Sequence, residues 1–179
     1  MDETYVGGEK PGKRGRGALG KSLVMIAAEI DGSRIGRIRL RRVPDASAES
    51  LEEAVRQAAV PGSMICTDGW KSYCGLNSLG YIHEVVRHTE AVGDKLLPYC
   101  HRVAALLKRW MEGTHQGAIS HEHLDYYLDE FTFRFNRRTS RYRGKLFYRL
   151  LQQAIAVDPV SYSFLIKHTR VLKPRDHYM

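Results

Sequence analysis

The sequence has few cysteines, and their spacing gives them no structural use. There are three, Cys66, Cys74 and Cys100, and no two of them form a CxxC pair. An odd and widely spaced set predicts neither a disulfide framework nor a zinc knuckle. It is typical of a protein that works in the reducing cytoplasm, which is the location we expect.

Long apolar segments are also missing. No run approaches the ~20 residues that a membrane-spanning helix needs. The acidic start Met1-Asp2-Glu3 is followed by no apolar stretch of the kind found in secretion signals. We therefore expect no membrane partner. The chain has 179 residues, 43% of them hydrophobic, which is enough to bury a core without disulfide or metal support.

Acidic residues are scarce in two parts of the chain, where cations dominate. The whole chain carries 28 Lys and Arg against 20 Asp and Glu, a net charge of +8. Residues 9–42 hold ten cations and three acids, and residues 131–150 hold seven cations and no acid. Arginine, which supplies 19 of the 28 cations, forms bidentate contacts to phosphate. The two blocks therefore indicate a nucleic-acid partner, with a merely solvated basic surface as the alternative.

The apolar pattern predicts a mixed α/β fold. Strands are expected over residues 2–6, 23–30, 34–43, 63–67 and 81–88. The turn signal Asp31-Gly32 predicts a hairpin between the second and third strands, and its outer face is basic. Ser47 is expected to cap a helix that ends before Pro61. From Pro98 onward the pattern is helical, so the antiparallel first half precedes a group of helices.

One segment matches a nucleotide-binding expression. Residues Gly15–Ser22 fit G-x-x-x-x-G-K-[ST], and a Walker-B-like run ends at Asp68. The motif requires a helix directly after it, so that the helix N-terminus meets phosphate. A strand-like run follows here, so a basic loop between strands is the favoured interpretation. A P-loop nucleotide hydrolase is kept as an alternative function.

Two aspartates and a helical pair are the candidates for chemistry. Asp2 lies on the first strand and Asp68 closes the fourth, and carboxylates from adjacent strands can hold two divalent ions. Strand-end aspartates are also common as turn or capping residues. His101 and Lys108 are seven residues apart on a predicted helix, which returns both to nearly the same face.

The chain resembles a known family at several motifs in the same order. They are Asp2-Glu3-Thr4-Tyr5-Val6-Gly7-Gly8, Thr67-Asp68-Gly69-Trp70-Lys71-Ser72-Tyr73, Leu106-Leu107-Lys108-Arg109, Gly113-Thr114-His115, Tyr127-Leu128-Asp129-Glu130-Phe131 and Arg134-Phe135-Asn136-Arg137-Arg138. Over residues 2–150 the sequence is similar to the catalytic domain of ISXO-type insertion-sequence transposases of the DDE superfamily.

This resemblance implies a ribonuclease-H-like mixed sheet flanked by helices, and DNA strand cleavage and transfer with Mg²⁺ or Mn²⁺. It maps the first carboxylate to Asp2 and the second to Asp68. The family's third ligand, usually Glu or Asn, stands seven residues before a lysine. Counting back from Lys108 gives His101, a departure, because imidazole suits softer ions than Mg²⁺. Glu112 and Glu90 are the fallback ligands.

The family resemblance also sets expectations for partners and domains. We expect double-stranded DNA as the partner, a homo-oligomer in the active assembly, and a bacterial, nucleoid-associated location. The expected DNA contacts are Lys10, Lys13, Arg14, Arg16, Lys21, Arg109, Arg134, Arg137, Arg138, Arg141 and Arg143. Residues 1–138 are interpreted as the catalytic domain and 139–179 as a basic helical extension.

The family carries a zinc-ribbon and DNA-recognition region before the catalytic domain, whereas only Met1 precedes Asp2. We interpret the chain as an N-terminally truncated copy. A basic DNA-binding remnant without catalysis is therefore the alternative that is not an enzyme.

Overall fold

The computed structural model describes residues 1–7, 21–87, 96–116, 119 and 121–167. It divides the chain into two compact units, Met1–Asn136 and Arg137–Met179. Within the described residues, no helix combines the length and the apolarity that crossing a bilayer demands. The mixed α/β class expected from the sequence is confirmed, with an antiparallel sheet, a parallel pair of strands and helices.

The first unit begins with a three-stranded antiparallel sheet. Its strands are β1 (Asp2–Val6), β2 (Ser22–Asp31) and β3 (Arg34–Val43), in the order β1-β2-β3. The predicted hairpin between β2 and β3 is confirmed, and Gly32 in its turn has φ +57°. Along β3 the apolar residues Ile38 and Leu40 are buried while Arg37 and Arg39 are exposed, which confirms the basic outer face.

A second, parallel pair of strands follows the first helix. Helix α1 (Ala48–Ala58) begins as predicted, because the Ser47 side chain accepts a hydrogen bond from the backbone N–H of Ser50. Strand β4 (Met64–Thr67) pairs with β5 (Ile82–Val85), and a 3-10 helix, Lys71–Asn77, lies between them along the chain. The expected last strand is shorter than residues 81–88, and His88 lies outside the described residues.

The two groups of strands meet at the start of the chain. β1 and β4 are assigned to different sheets. The N-terminal amine of Met1 nevertheless donates a hydrogen bond to the carbonyl oxygen of Cys66, a residue of β4. This contact brings the first residues of β1, including Asp2, next to the end of β4 and the aspartate that follows it.

Alternate residues of β2 enter two hydrophobic clusters. Val24 and Ile26 pack with helices α2 (Pro98–His115) and α3 (Leu124–Asn136), and we call this group the upper cluster. Leu23 and Met25 pack with α1 and the 3-10 helix, and we call this group the lower cluster. β2 is therefore buried on both faces, which explains why its apolar run shows no polar alternation.

The end of helix α3 covers the free edge of the sheet. β3 is an edge strand. The Asn136 side chain accepts a hydrogen bond from the Ile38 N–H at 2.7 Å and donates one to the Ile38 carbonyl at 2.9 Å. An amide group thus takes the place of a neighbouring strand and satisfies backbone groups that an edge leaves open.

The P-loop alternative fails on its structural requirement. Residues 8–20, which include most of the motif, lie outside the described residues, but its end is described. Ser22 begins strand β2, whose residues Leu23 to Ala27 are buried. A strand at this point cannot present the helix N-terminus that the phosphate-binding motif requires.

The second unit is helical in its described part. Helix α4 (Arg143–Ile155) and the short helix α5 (Tyr162–Lys167) lie within it. Both agree with the helical pattern that the sequence predicts from Pro98 onward. Large apolar side chains of α4, such as Phe147 and Ile155, are exposed. The assignment of residues 139–179 as a separate basic extension remains a prediction about function.

Candidate active site

Asp2 lies where β1 faces helix α2. Residues alternate along a strand, so Asp2 shares its face with Val6, which packs in the upper cluster with α2. Its Oδ1 accepts a hydrogen bond from the N–H of Glu3 at 2.9 Å. Its Oδ2 lies 3.3 Å from Nε2 of His101, a residue of the first turn of α2. The Asp2 side chain is 19% exposed and that of His101 is 52% exposed, so the contact lies at the rim of a partly buried site.

The surroundings of Asp2 disfavour its negative charge on balance. Burial is the largest influence and raises the pKa of the Asp2 carboxyl above its ordinary value. The Glu3 N–H and His101 act in the opposite direction, and the negative charge of Asp68 raises the pKa further. Asp2 and Asp68 therefore lie close enough for their charges to interact.

Asp68 follows β4 on a tightly built loop. Its Oδ1 accepts a hydrogen bond from the Trp70 N–H at 3.0 Å, a turn contact of the kind the sequence allowed. The hydroxyl of the buried residue Thr67 accepts a hydrogen bond from the Gly69 N–H at 3.2 Å and lies 2.8 Å from Nε2 of His83 on β5. The loop backbone is thus fixed by its neighbours, while the Asp68 side chain remains exposed.

Helix α2 carries the other two candidates on one flank. Pro98 is its first residue, and Cys100, Val103, Leu107 and Met111 face the core. His101 and Lys108 lie about 100° and 80° around the helix from Cys100, so they share an exposed flank. Lys108 is exposed, and it lies roughly 10 Å along the axis from His101. Glu112 is on the same flank but roughly 16 Å from His101, too far along the helix to contact Asp2 directly.

Two residues near the aspartates were not identified from the sequence. The hydroxyl of Tyr73 donates a short hydrogen bond to Oε1 of Glu3. Burial, followed by the charge of Glu3, strongly raises the pKa of Tyr73, so the hydroxyl keeps its proton and acts as a donor. Alternation along β1 was the available signal, because it places Glu3 on the face opposite Asp2, with Tyr5 and the lower cluster.

Comparison with known families identifies the family of this chain. The sequence model of the ISXO2-like transposase domain matches residues 1–136. The chain belongs to this transposase family. No curated protein and no solved structure matches it. The match covers the whole first unit, including both aspartates and helix α2, so the resemblance expected from the sequence motifs is confirmed.

The acidic residues of the transposase domain are of the kind that bind metal ions. DDE transposases generally use divalent metal ions, and hard cations of this kind prefer carboxylate oxygen. A cation near Asp2 would oppose the effects of burial and of the Asp68 charge, which raise the pKa of the Asp2 carboxyl. Across the parts of the chain that the structure describes, however, no three His, Cys, Asp or Glu side chains converge closely enough to hold a metal.

The expected DNA contacts of the transposase domain fall into three groups. Lys10, Lys13, Arg14, Arg16 and the fallback ligand Glu90 lie outside the described residues. Lys21 is partly buried just before β2, and Arg109 is exposed on α2. Arg134 is exposed and lies 2.8 Å from Oε1 of Glu130 on its own helix. In the second unit, Arg138, Arg141 and Arg143 are exposed and Arg137 is partly buried.

A side chain at position 69 should destabilise the loop that follows Asp68. Gly69 has φ +80°, and a Cβ there would lie 2.5 Å from Cγ1 of Val85. We expect Gly69→Ala to lower the free energy of unfolding by more than the ~1–2 kcal/mol of left-handed strain alone. Gly32→Ala is the matched control, because Gly32 has φ +57° and no atom within 4 Å. Chemical denaturation measures both variants, and equal losses would show that contact with Val85 is unimportant.

Asp2 should reduce stability at neutral pH in metal-free buffer. In the folded state the pKa of the Asp2 carboxyl is raised above its ordinary value of 3.8. The wild type therefore loses stability as the pH rises from 3.8 to the pKa of the folded state. We expect Asp2→Asn to raise the thermal midpoint at pH 7, and the gain to shrink towards pH 4. Asp45→Asn is the control and should lower the thermal midpoint at pH 7, because hydrogen bonds from Ser47 lower the pKa of Asp45. A destabilised Asp2→Asn protein at pH 7 would contradict this prediction.

Proposed function

We propose that this transposase domain cleaves DNA strands and joins them to target DNA, in a reaction dependent on Mg²⁺ or Mn²⁺. The single observation that carries the proposal is the contact of Asp2 with His101, with the charge of Asp68 near enough to raise the pKa of Asp2. Asp2 lies 3.3 Å from His101 and feels the charge of Asp68, although the three residues come from β1, α2 and the loop after β4. Such clustering of a carboxylate with a raised pKa is typical of catalytic sites.

The topology supports a ribonuclease-H-like arrangement as part of the same proposal. The antiparallel sheet has the order β3-β2-β1, and β4 pairs in parallel with β5 in a second sheet. The hydrogen bond from Met1 to Cys66 is the contact expected if β1 and β4 are neighbours in one mixed sheet. Helices cover both faces, as the two hydrophobic clusters require. Residues 1–138 would then form the catalytic domain, with residues 139–179 as its extension.

Four residues would have separate roles in the proposed site. Asp2 and Asp68 would hold the cation, with His101 as the third ligand from the first turn of α2. When bound, such ions activate the attacking oxygen and stabilise the leaving oxygen of a phosphodiester. The three donors come from separate elements, so folding itself assembles the site. Lys108, on the same flank as His101, would contact a phosphate beside the cleaved bond.

The two basic blocks, together with Arg109, would hold double-stranded DNA by its backbone. Arg109 lies on α2, and Arg141 and Arg143 stand before and at the start of α4. Arginine contacts to phosphate fix position and carry no sequence information. Transposon ends and target DNA would thus be bound by charge and shape in a homo-oligomeric assembly at the bacterial nucleoid.

The test is metal-dependent nicking of supercoiled plasmid by the purified chain. We expect nicking with Mn²⁺ or Mg²⁺, none with EDTA, and a loss of at least about 100-fold in Asp68→Asn, because a ligated metal supplies several kcal/mol. Asp31→Asn is the matched control, since Asp31 is an exposed aspartate at the end of β2. DNA binding without nicking at any concentration of either ion would instead favour a non-catalytic DNA-binding protein.

A further inference from the structure

We infer that Tyr73 and Glu3 form a positioning pair that holds the two aspartate-bearing segments in register from the opposite face of the sheet. The inference rests on the proposed function only in taking Asp2 and Asp68 as metal ligands. Tyr73 packs in the lower cluster and Glu3 extends towards it, on the face of β1 opposite Asp2. Their effect would act through the backbone of β1 and of the loop after β4.

The hydrogen bond between the two side chains is the first observation. Tyr73 is fully buried in the lower cluster, with 0% of its surface exposed. Its hydroxyl donates to Oε1 of Glu3, which extends from β1 towards that cluster. Separating the buried hydroxyl from the carboxylate would deprive both groups of this hydrogen-bond partner, which costs free energy. The pair is therefore expected to stay together.

The position of each partner along the chain is the second observation. Glu3 directly follows Asp2, and its N–H donates to Oδ1 of Asp2. Tyr73 lies five residues after Asp68, and its N–H donates to the Trp70 carbonyl at 3.0 Å. The Trp70 N–H in turn donates to Oδ1 of Asp68 at 3.0 Å. One continuous series of hydrogen bonds therefore leads from Asp68 through Tyr73 and Glu3 to Asp2.

The remaining contacts of the loop explain why this series is stiff. The Ser72 hydroxyl and the Trp70 indole N–H both donate to the carbonyl oxygen of Ala46, at 2.5 Å and 3.4 Å. The loop is thus attached to the segment before α1 as well as to β1. Metal ligands need supporting hydrogen bonds to keep their geometry, and loss of such a partner commonly lowers metal affinity by about 10–100-fold.

Tyr73→Phe tests the inference, because it removes the hydroxyl and keeps the ring. We expect hydrogen–deuterium exchange of residues 2–6 and 68–73 to become about tenfold faster in the metal-free protein. We also expect the Kd for Mn²⁺, measured by paramagnetic resonance of free Mn²⁺, to rise about 10–100-fold. Glu3→Ala should behave alike, whereas Glu3→Gln, which keeps an accepting oxygen, should retain most of the protection and affinity.

Tyr81→Phe is the matched control. Tyr81 is buried in the same lower cluster, and its hydroxyl donates to the carbonyl of Ala59 at 3.1 Å, at the end of α1. It should lose comparable thermal stability without faster exchange at residues 2–6 and 68–73 and without a change in Mn²⁺ affinity. Equal effects of Tyr73→Phe and Tyr81→Phe on exchange would overturn the inference. If the wild type fails to bind Mn²⁺, the proposed function fails, and the exchange data alone decide the positioning role.

Discussion

Replacement of His101 by alanine is expected to abolish metal-dependent DNA nicking while leaving DNA affinity nearly unchanged. The loss should be at least about 100-fold, because a metal ligand contributes to the several kcal/mol of charge stabilisation that the ion supplies. DNA affinity should persist because His101 lies beside Asp2 and outside the basic blocks. Plasmid nicking and fluorescence anisotropy with a duplex, on the same preparations, measure the two quantities.

His101→Glu tests whether a carboxylate at this position supports nicking. A carboxylate suits Mg²⁺ better than an imidazole does, so this variant should retain or raise nicking in Mg²⁺. It also places a third acidic group near Asp2, so the metal-free protein should be less stable than the wild type. Glu112→Ala is the control on the same flank of α2. Unchanged nicking by His101→Ala would place the third ligand elsewhere, and loss in Glu112→Ala would identify it.

DNA affinity is expected to fall by about a thousandfold between 50 and 200 mM salt. A protein that neutralises about six phosphates releases that many counterions and loses affinity on this scale. The first unit's arginines and the cations of residues 137–149 are numerous enough to neutralise that many phosphates. Affinity should depend little on sequence, because the protein would bind the backbone.

A double variant and a paired arginine separate specific phosphate binding from bulk charge. Arg141→Ala with Arg143→Ala should reduce the slope of log Kd against log salt by about two, one for each phosphate that is no longer neutralised. Arg56→Ala should leave the slope unchanged, because Arg56 lies 3.3 Å from Glu53 and 3.9 Å from Glu52 on α1. A flat salt titration, or a strong preference of this chain alone for one sequence, would contradict the prediction.

Most elements of the fold could be predicted because their signals are local. The Ser47 cap, the turn at Gly32 and the alternation of Arg37 and Arg39 with Ile38 each depend on residues within a few positions. Errors arose where no local signal exists. Strand β5 ends at Val85 rather than 88, and the length of a short strand depends on its partner β4 rather than on its own residues.

The candidate residues of the site came from the sequence, and their roles stay predictions. Spacing on a helix placed His101 and Lys108 on one flank, and family motifs indicated Asp2 and Asp68. That Asp2 contacts His101 depends on how α2 packs on the sheet, through Val103 and Leu107 in the upper cluster. The pair of Glu3 and Tyr73 was missed because the sequence around Glu3 does not indicate which distant residue its side chain contacts.

The sequence by itself determined the class of fold, the two basic blocks and the transposase family, because composition, periodicity and motif order are properties of the chain read in one dimension. Only the tertiary structure decided which side chains meet: Asp2 with His101, Glu3 with Tyr73, and Asn136 with the edge at Ile38. These partners are 70 to 99 residues apart. Their contacts follow from the packing of helices on both faces of the sheet, which buries apolar area without regard to sequence distance.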